Sequence, residues 1–207
     1  MINIFDNCYC INLDHRVDRW EHAEKEFEKH NLKVERFSAI DGSSLEDISK
    51  KMHKNIIACG LSHLEIIKKA KSDGLPHVTI FEDDVVLHEN FKDVISKNIE
   101  DVPNWDMLYY GGNHLGRLLP VTNNVYKLTH TYAAHAYTVK NTLYDFLIQT
   151  IPNLKIPFDA FYGHIHSEIS AYLITADDYQ LSWQMPNFSD INKCFESYDG
   201  LKKIIQK

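Results

Sequence analysis

The 207-residue sequence has no Gly-x-Gly-x-x-Gly fingerprint, no Walker-type loop and no Gly-x-Ser-x-Gly elbow. These absences argue against dinucleotide oxidoreductases, P-loop enzymes and serine-elbow chemistry. Glycine and proline are sparse, at 8 and 6 residues, and no repeat, low-complexity stretch or linker interrupts the chain. One domain with a proper core fits that length and composition. Basic residues are outnumbered, 22 Lys and Arg against 29 Asp and Glu, for a formal charge of −7. That balance excludes a general phosphate-backbone binder. It leaves a nucleotide ligand open, because one bound divalent ion reverses the local sign. The cysteines, Cys8, Cys10, Cys59 and Cys194, include no Cys-x-x-Cys pair. Cys8 and Cys10 flank Tyr9 in an apolar run and read as reduced strand thiols. No apolar run approaches the roughly 18 residues of a membrane span. The N-terminus lacks a basic segment followed by a long apolar one, so no signal peptide is expected. The reading is a soluble, cytosolic protein.

What is there is a regular alternation. Residues 8–13, CYCINL, predict a buried strand. The following helix, to about residue 31, has Asp18 and Glu21 in a capping-box pattern and Trp20, Ala23, Phe27 and Asn31 on one face. Residues 33–41, KVERFSAID, predict a second strand, closed by the Asp41-Gly42 turn pair. Residues 56–74 predict a helix with Gly74 as its stop. PHVTIF is a third strand, NFKDVISKNI a helix, and WDMLYYGG a fourth strand. VYKL and TYAAHAYTV predict a hairpin or two short strands, and NTLYDFLIQTI a helix; the remainder reads as irregular. Strand–helix alternation predicts a mostly parallel sheet with helices on both faces, and ligands at the carboxyl ends of the strands. There the chain places LDHR, AIDG, EDD and GGNH.

The third strand runs into three consecutive carboxylates, Glu82, Asp83 and Asp84. Like charges at the edge of a buried strand are costly unless a cation meets them. Hard divalent cations take such oxygen ligands together with substrate phosphates, and alternate residues such as Glu82 and Asp84 share a face. The other reading is an acidic turn before the next helix. Arg16 and Arg19 can clamp a diphosphate or pair with Asp14 and Asp18 at a helix start. Asp41 can accept from a ribose hydroxyl or simply close a turn. Ser62 with Glu65 fits a second capping box, which would put Ser62 and His63 at a helix N-terminus suited to phosphate. His135 faces either core or cleft, and His164 and His166 alternate as surface or metal-facing histidines. Asp159, isolated in IPFDAF, is a general base with a raised pKa or a helix cap after Pro157.

Eight segments in order resemble glycosyltransferase family 25: CINLDHRVDRW, FSAIDG, ACGLSHLEIIKKA, IFEDDV, WDMLYYGG, THTYAAHAYTV, IPFDAF and FSDI. That group includes lipooligosaccharide glycosyltransferases and collagen hydroxylysine galactosyltransferases. The resemblance implies a GT-A-type fold and a single domain over 1–207, with a donor-binding part to about residue 112 and an acceptor and catalytic part over about 113–195. It implies a UDP-sugar donor, a Mn²⁺ or Mg²⁺ cofactor, and inverting hexose transfer to a hydroxyl on a glycan or a collagen-like hydroxylysine. Asp84, with Glu82 or Asp83, is then expected at the metal. Of these two, Glu82 is taken as the ligand and Asp83 as a nucleotide-sugar contact. Asn12, Leu13, Ala39 and Asp41 are expected at the nucleoside, Arg16 or Arg19 at the diphosphate, and Ser62 and His63 near phosphates or sugar. Asp159 is the expected base, with Asp190 of FSDI the alternative. Two competing expectations keep the residues but not the reaction. One is an inactive domain that binds UDP-sugar and metal. The other is a divalent-metal phosphohydrolase, for which no nucleophile or second metal cluster is evident.

Overall fold

The computed structural model describes residues 3–46, 52–177 and 179–185. In chain order its first half comprises β1 (Cys8–Asn12), α1 (Val17–Lys29), β2 (Glu35–Ser38), α2 (Lys54–Ser72), β3 (His77–Glu82), β4 (Val85–Leu87), α3 (Phe91–Asn98) and β5 (Met107–Tyr109). There follow β6 (Asn113–His114), β7 (Leu119–Pro120), β8 (Val125–Lys127), β9 (Thr131–Tyr132), β10 (Ala136–Lys140), α4 (Tyr144–Thr150), α5 (Phe158–Ile165), β11 (Ala171–Ala176), β12 (Tyr179–Gln180) and β13 (Ser182–Gln184).

The main sheet has the order β2-β1-β3-β10-β5-β11-β8-β7. Strands β2, β1 and β3 are mutually parallel, as are β5 and β11. Strand β10 lies between these two groups and runs against both. The inner strands are buried on both faces, so they carry apolar residues on both and sort them with period two. Tyr9, Ile80, Tyr109, Tyr137 and Leu173 point into one core, which also holds Leu64 and Ile67 of α2 and Tyr162 of α5. Cys10, Phe81, Leu108, Ala136 and Ile174 point into the other, with Phe27 of α1 and Phe91 of α3. This is an α/β architecture with a central, mostly parallel sheet flanked by helices.

Several local expectations need correction. Helix α1 is entered from Arg16, and Asp18 lies in its first turn, where it pairs with Arg16 rather than capping. Ser62 is not a helix start: α2 begins eight residues earlier, with the His53 side chain accepting from Asn55 N–H. Residues 125–128 and 131–139 do not form a hairpin with each other. Strand β8 pairs with β11 and β7, β9 with β6, and β10 with β3 and β5. The stretch read as irregular contains α5 and the buried strand β11, which lies inside the sheet between β5 and β8. Gly74 does end α2, with φ of +67° and its N–H on the Lys71 carbonyl.

Candidate active site

The acidic triplet splits between two environments. Strand β3 ends at Glu82, and residues 83 and 84 make the turn into β4. Asp83 is held by Arg19 Nη1 at 3.0 Å and by Asn12 Nδ2 at 2.7 Å, all three side chains being buried. Asn12 also donates to the Arg16 carbonyl and accepts from Arg36 Nε at 2.8 Å. The carboxyl end of β1, the start of α1 and the end of β3 are thus locked together through one carboxylate. Arg16 makes a two-pronged ion pair with Asp18 at 3.0 and 2.8 Å.

Glu82 and Asp84 take the other side, as their alternate spacing requires. Gln184 Nε2 donates to Glu82 Oε2 at 3.0 Å and approaches Asp84 at 3.4–3.5 Å. Gln184 arrives there because β13 pairs with β4, placing it opposite Val85. Burial, and then repulsion by neighbouring carboxylates, pushes both carboxyls well above the usual carboxylate range. Asp159 is the foremost charged neighbour raising Glu82, and Glu82 the foremost raising Asp84. The arrangement is one that a divalent cation would relieve. Its all-oxygen donors suit a hard ion such as Mn²⁺ or Mg²⁺.

These carboxylates form one wall of a cleft of about 500 Å³ at the carboxyl ends of β1, β2 and β3. Leu13, Arg19, Ala39, Asp41, Ser62 and all three acidic residues line it. Asn12, Arg16 and His63 do not line it; Asn12 acts by holding Asp83. Ser62 anchors the loop after β2: its Oγ donates to the Ala58 carbonyl at 2.7 Å and accepts from Ile40 N–H at 2.9 Å. Asp41 is half-buried and accepts from Ser43 N–H; the Ser43 hydroxyl and then its N–H hold the carboxyl below the usual range. Gly42 lies so close to α2 that a Cβ would meet Asn55 Oδ1 at 2.3 Å and its backbone at 2.9 Å. The tight seat keeps the 39–43 loop against the cleft.

His63 is fully buried one turn beyond Cys59 on α2. Its ring packs on Phe158 and Tyr137, its Nδ1 is 3.1 Å from Tyr137 Oη, and its Nε2 is 3.4 Å from Glu82 Oε1. Burial lowers its pKa to about 3, so the ring is neutral. Asp159 lies in the first turn of α5, half-buried. Its two oxygens accept from Ala133 N–H at 3.2 Å and Ala160 N–H at 2.8 Å. It does not cap α5. It fixes the 133 turn, where Ala133 has φ of +65°. Asp190 lies outside the described residues. His135 is a core residue, 3.1 Å from Ser182 Oγ, and His166 Nδ1 accepts from Thr131 N–H at 3.2 Å; His164 is exposed.

Sequence reasoning missed Gln184, Cys59, Lys54 and Asn55. No local signal marks Gln184, which is about 100 residues from its carboxylate partners. The four-residue spacing of Cys59 and His63 within a predicted helix did mark a shared face.

The chain matches the model of glycosyltransferase family 25 (LPS biosynthesis protein) over residues 5–178. It is 37% identical over 92 residues to the lipooligosaccharide biosynthesis protein lic2B of Haemophilus influenzae, covering 40% of this chain and 35% of that one. It is 23% identical over 162 residues to procollagen galactosyltransferase 2 of Mus musculus, covering 65% of this chain and 26% of that one. The chain thus spans about a third or less of the length of these relatives. A glycosyltransferase involved in glycosylation of the major capsid of PBCV-1 superposes with a TM-score of 0.50 at 12% identity, covering 88% of this chain and 94% of that one. That likeness marks the fold as GT-A-like. No helix among the described residues is long and apolar enough to cross a membrane. With its family model spanning both the cleft and the carboxylate pair, the chain belongs to glycosyltransferase family 25.

Proposed function

We propose that this chain transfers a hexose, galactose or glucose, from a UDP-sugar to an acceptor hydroxyl, with inversion and with Mn²⁺ or Mg²⁺ at Glu82 and Asp84. The observation that carries the reading is the pair itself: two carboxylates raised by burial and by repulsion from neighbouring carboxylates, facing a cleft of nucleotide size. Bound there, a divalent cation would hold the diphosphate and offset the charge that develops on the leaving nucleotide. Asp83, Arg19 and Asn12 keep the strand end rigid, so the pair stays oriented. Leu13, Ala39 and Asp41 line the part of the cleft suited to the nucleoside. Asp159, close enough to Glu82 to raise its pKa, is the carboxylate we assign to take the acceptor proton. The names of the relatives, a lipooligosaccharide biosynthesis protein and a procollagen galactosyltransferase, support a glycan or a collagen-like chain as the bearer of that hydroxyl; on the latter we take hydroxylysine as the acceptor.

The test is UDP release from UDP-glucose, UDP-galactose and their N-acetyl forms, with and without Mn²⁺, beside Asp84→Ala. Metal-dependent release from one donor, absent in the variant, is the expected result and names the sugar. Metal-dependent UDP binding without release, with any acceptor offered, would replace transfer by donor binding alone. Neither release nor binding would remove the donor site from this cleft.

A further inference from the structure

The acidic pair is not the only group in the cleft with metal-ligand chemistry. Cys59 and His63 stand four residues apart on α2, which puts both side chains on the face turned toward the end of β3. The Sγ of Cys59, a ring nitrogen of His63 and a carboxylate oxygen of Glu82 lie within 4.8 Å of one another. Thiolate, imidazole and carboxylate together form a borderline-soft donor set, unlike the all-oxygen pair of Glu82 and Asp84.

The His63 ring supplies the decisive detail. Its Nε2 is fully buried, has no hydrogen-bond partner and lies 3.4 Å from Glu82 Oε1. Zinc bonds of about 2.0–2.1 Å to nitrogen and oxygen, at a tetrahedral angle, set those two atoms about 3.3–3.4 Å apart. Here the His63 Nε2 to Glu82 Oε1 distance is 3.4 Å. The same geometry needs sulfur about 3.5–3.6 Å from each, a closure within reach of Cys59 χ1. Tyr137 Oη sits 3.1 Å from Nδ1 and can accept a hydrogen bond from Nδ1–H, the tautomer that leaves the Nε2 lone pair for a metal and fixes the ring. Phe158, tilted against the ring with centroids 4.3 Å apart, blocks rotation away from the site. Cys59 and Glu82 both line the cleft, so a fourth coordination position opens to solvent.

We propose that Cys59, His63 and Glu82 form a three-ligand site for Zn²⁺ or a similar thiophilic divalent ion. On binding, the Cys59 thiol releases its proton to solvent and the sulfur bonds to the metal, with no change in oxidation state. Because Glu82 belongs to both donor sets, zinc withdraws it from the hard-cation pair.

Two measurements on the purified chain test this without any sugar nucleotide, so their outcome is separate from that of the transferase reading. The first titrates Co²⁺ as a spectroscopic stand-in for Zn²⁺. The expected result is a near-ultraviolet thiolate-to-cobalt band, displaced by Zn²⁺ and absent in Cys59→Ser. His63→Gln should weaken binding by more than the about tenfold that losing even an outer partner of a ligand costs. A band that persists in Cys59→Ser, or no band in the wild type, overturns the proposal. The second needs no variant: Zn²⁺ should protect Cys59 from alkylation, mapped by peptide mass spectrometry. Equal labelling of Cys59 with and without zinc overturns the proposal.

Discussion

Asp84→Asn should stabilise the chelator-treated protein at alkaline pH while removing its response to Mn²⁺. Asp84 is almost fully buried and Glu82 is half-buried on the same face, and the two draw on one Gln184 amide. Both carboxyls are raised, so the folded state holds protons that the unfolded chain has already released. Stability therefore falls as pH rises from the ordinary carboxylate range to about 8. Histidines whose pKa values burial lowers impose the opposite slope below about pH 6.5, so the window that isolates the carboxylates is pH 7 to 8.5. Each pKa unit corresponds to about 1.4 kcal/mol. Discounted for relaxation and the Gln184 contact, losing one of the two charges should stabilise by on the order of 2–3 kcal/mol at pH 8.5. For a chain of this length that raises the midpoint by about 4–12 °C. The assay is thermal unfolding by circular dichroism in EDTA at pH 7 and 8.5, repeated with Mn²⁺. The wild type should lose stability over that interval and regain it with Mn²⁺; the variant should lose less, since burial and Asp159 still raise Glu82, and should not regain it with Mn²⁺. A variant less stable than wild type at pH 8.5 in EDTA would refute the reasoning, because the pair would then not be repelling.

Other outcomes follow from the same geometry. Arg19→Met leaves Asp83 buried beside Glu82 and Asp84 without its cation, and should cost about 3–5 kcal/mol in urea unfolding. The double variant with Asp83→Leu should recover most of that loss, and a cycle without coupling would rule out the lock. Acid unfolding should be steep below pH 6.5. His63, His114, His135 and His166 have pKa values lowered to between about 3 and 4 by burial, so the stability of their neutral forms is lost as pH falls through the unfolded histidine value. The raised carboxyls offset part of that uptake, and the net proton uptake on unfolding near pH 5.5 is measurable from the pH dependence of urea unfolding. Gly111→Ala drives a Cβ to 1.9 Å from the Ser182 carbonyl and should destabilise by about 1–3 kcal/mol or prevent folding, read by expression and thermal melt. Gly42→Ala should displace the 39–43 loop and weaken UDP binding in calorimetry more than it lowers the melting midpoint.

The sequence by itself determined the layer architecture and the edge that carries the cleft. Strands such as CYCIN and HVTIFE are buried on both faces, and a continuous apolar run followed by charges marks a strand and its end regardless of context. Gly74 was legible for the same local reason, since a left-handed φ after a helix favours glycine. Capping was misread at Asp18 and Ser62 because a box motif states only that a side chain can cap. Tertiary contacts chose otherwise: Arg16 claimed Asp18, and the Ile40 amide claimed Ser62 deep inside α2. Strand β11 was missed because AYLITA has the same short apolar pattern that a buried helix segment shows, and only its pairing with β5 and β8 separates the two. Tertiary structure alone divided the acidic triplet. It gave Asp83 to Arg19 and Asn12, and brought Gln184 and His63 to Glu82 across about 100 and 20 residues of chain. Local pattern fixes which way a side chain faces, whereas the partner that neutralises a buried charge is set by long-range pairing of strands and helices.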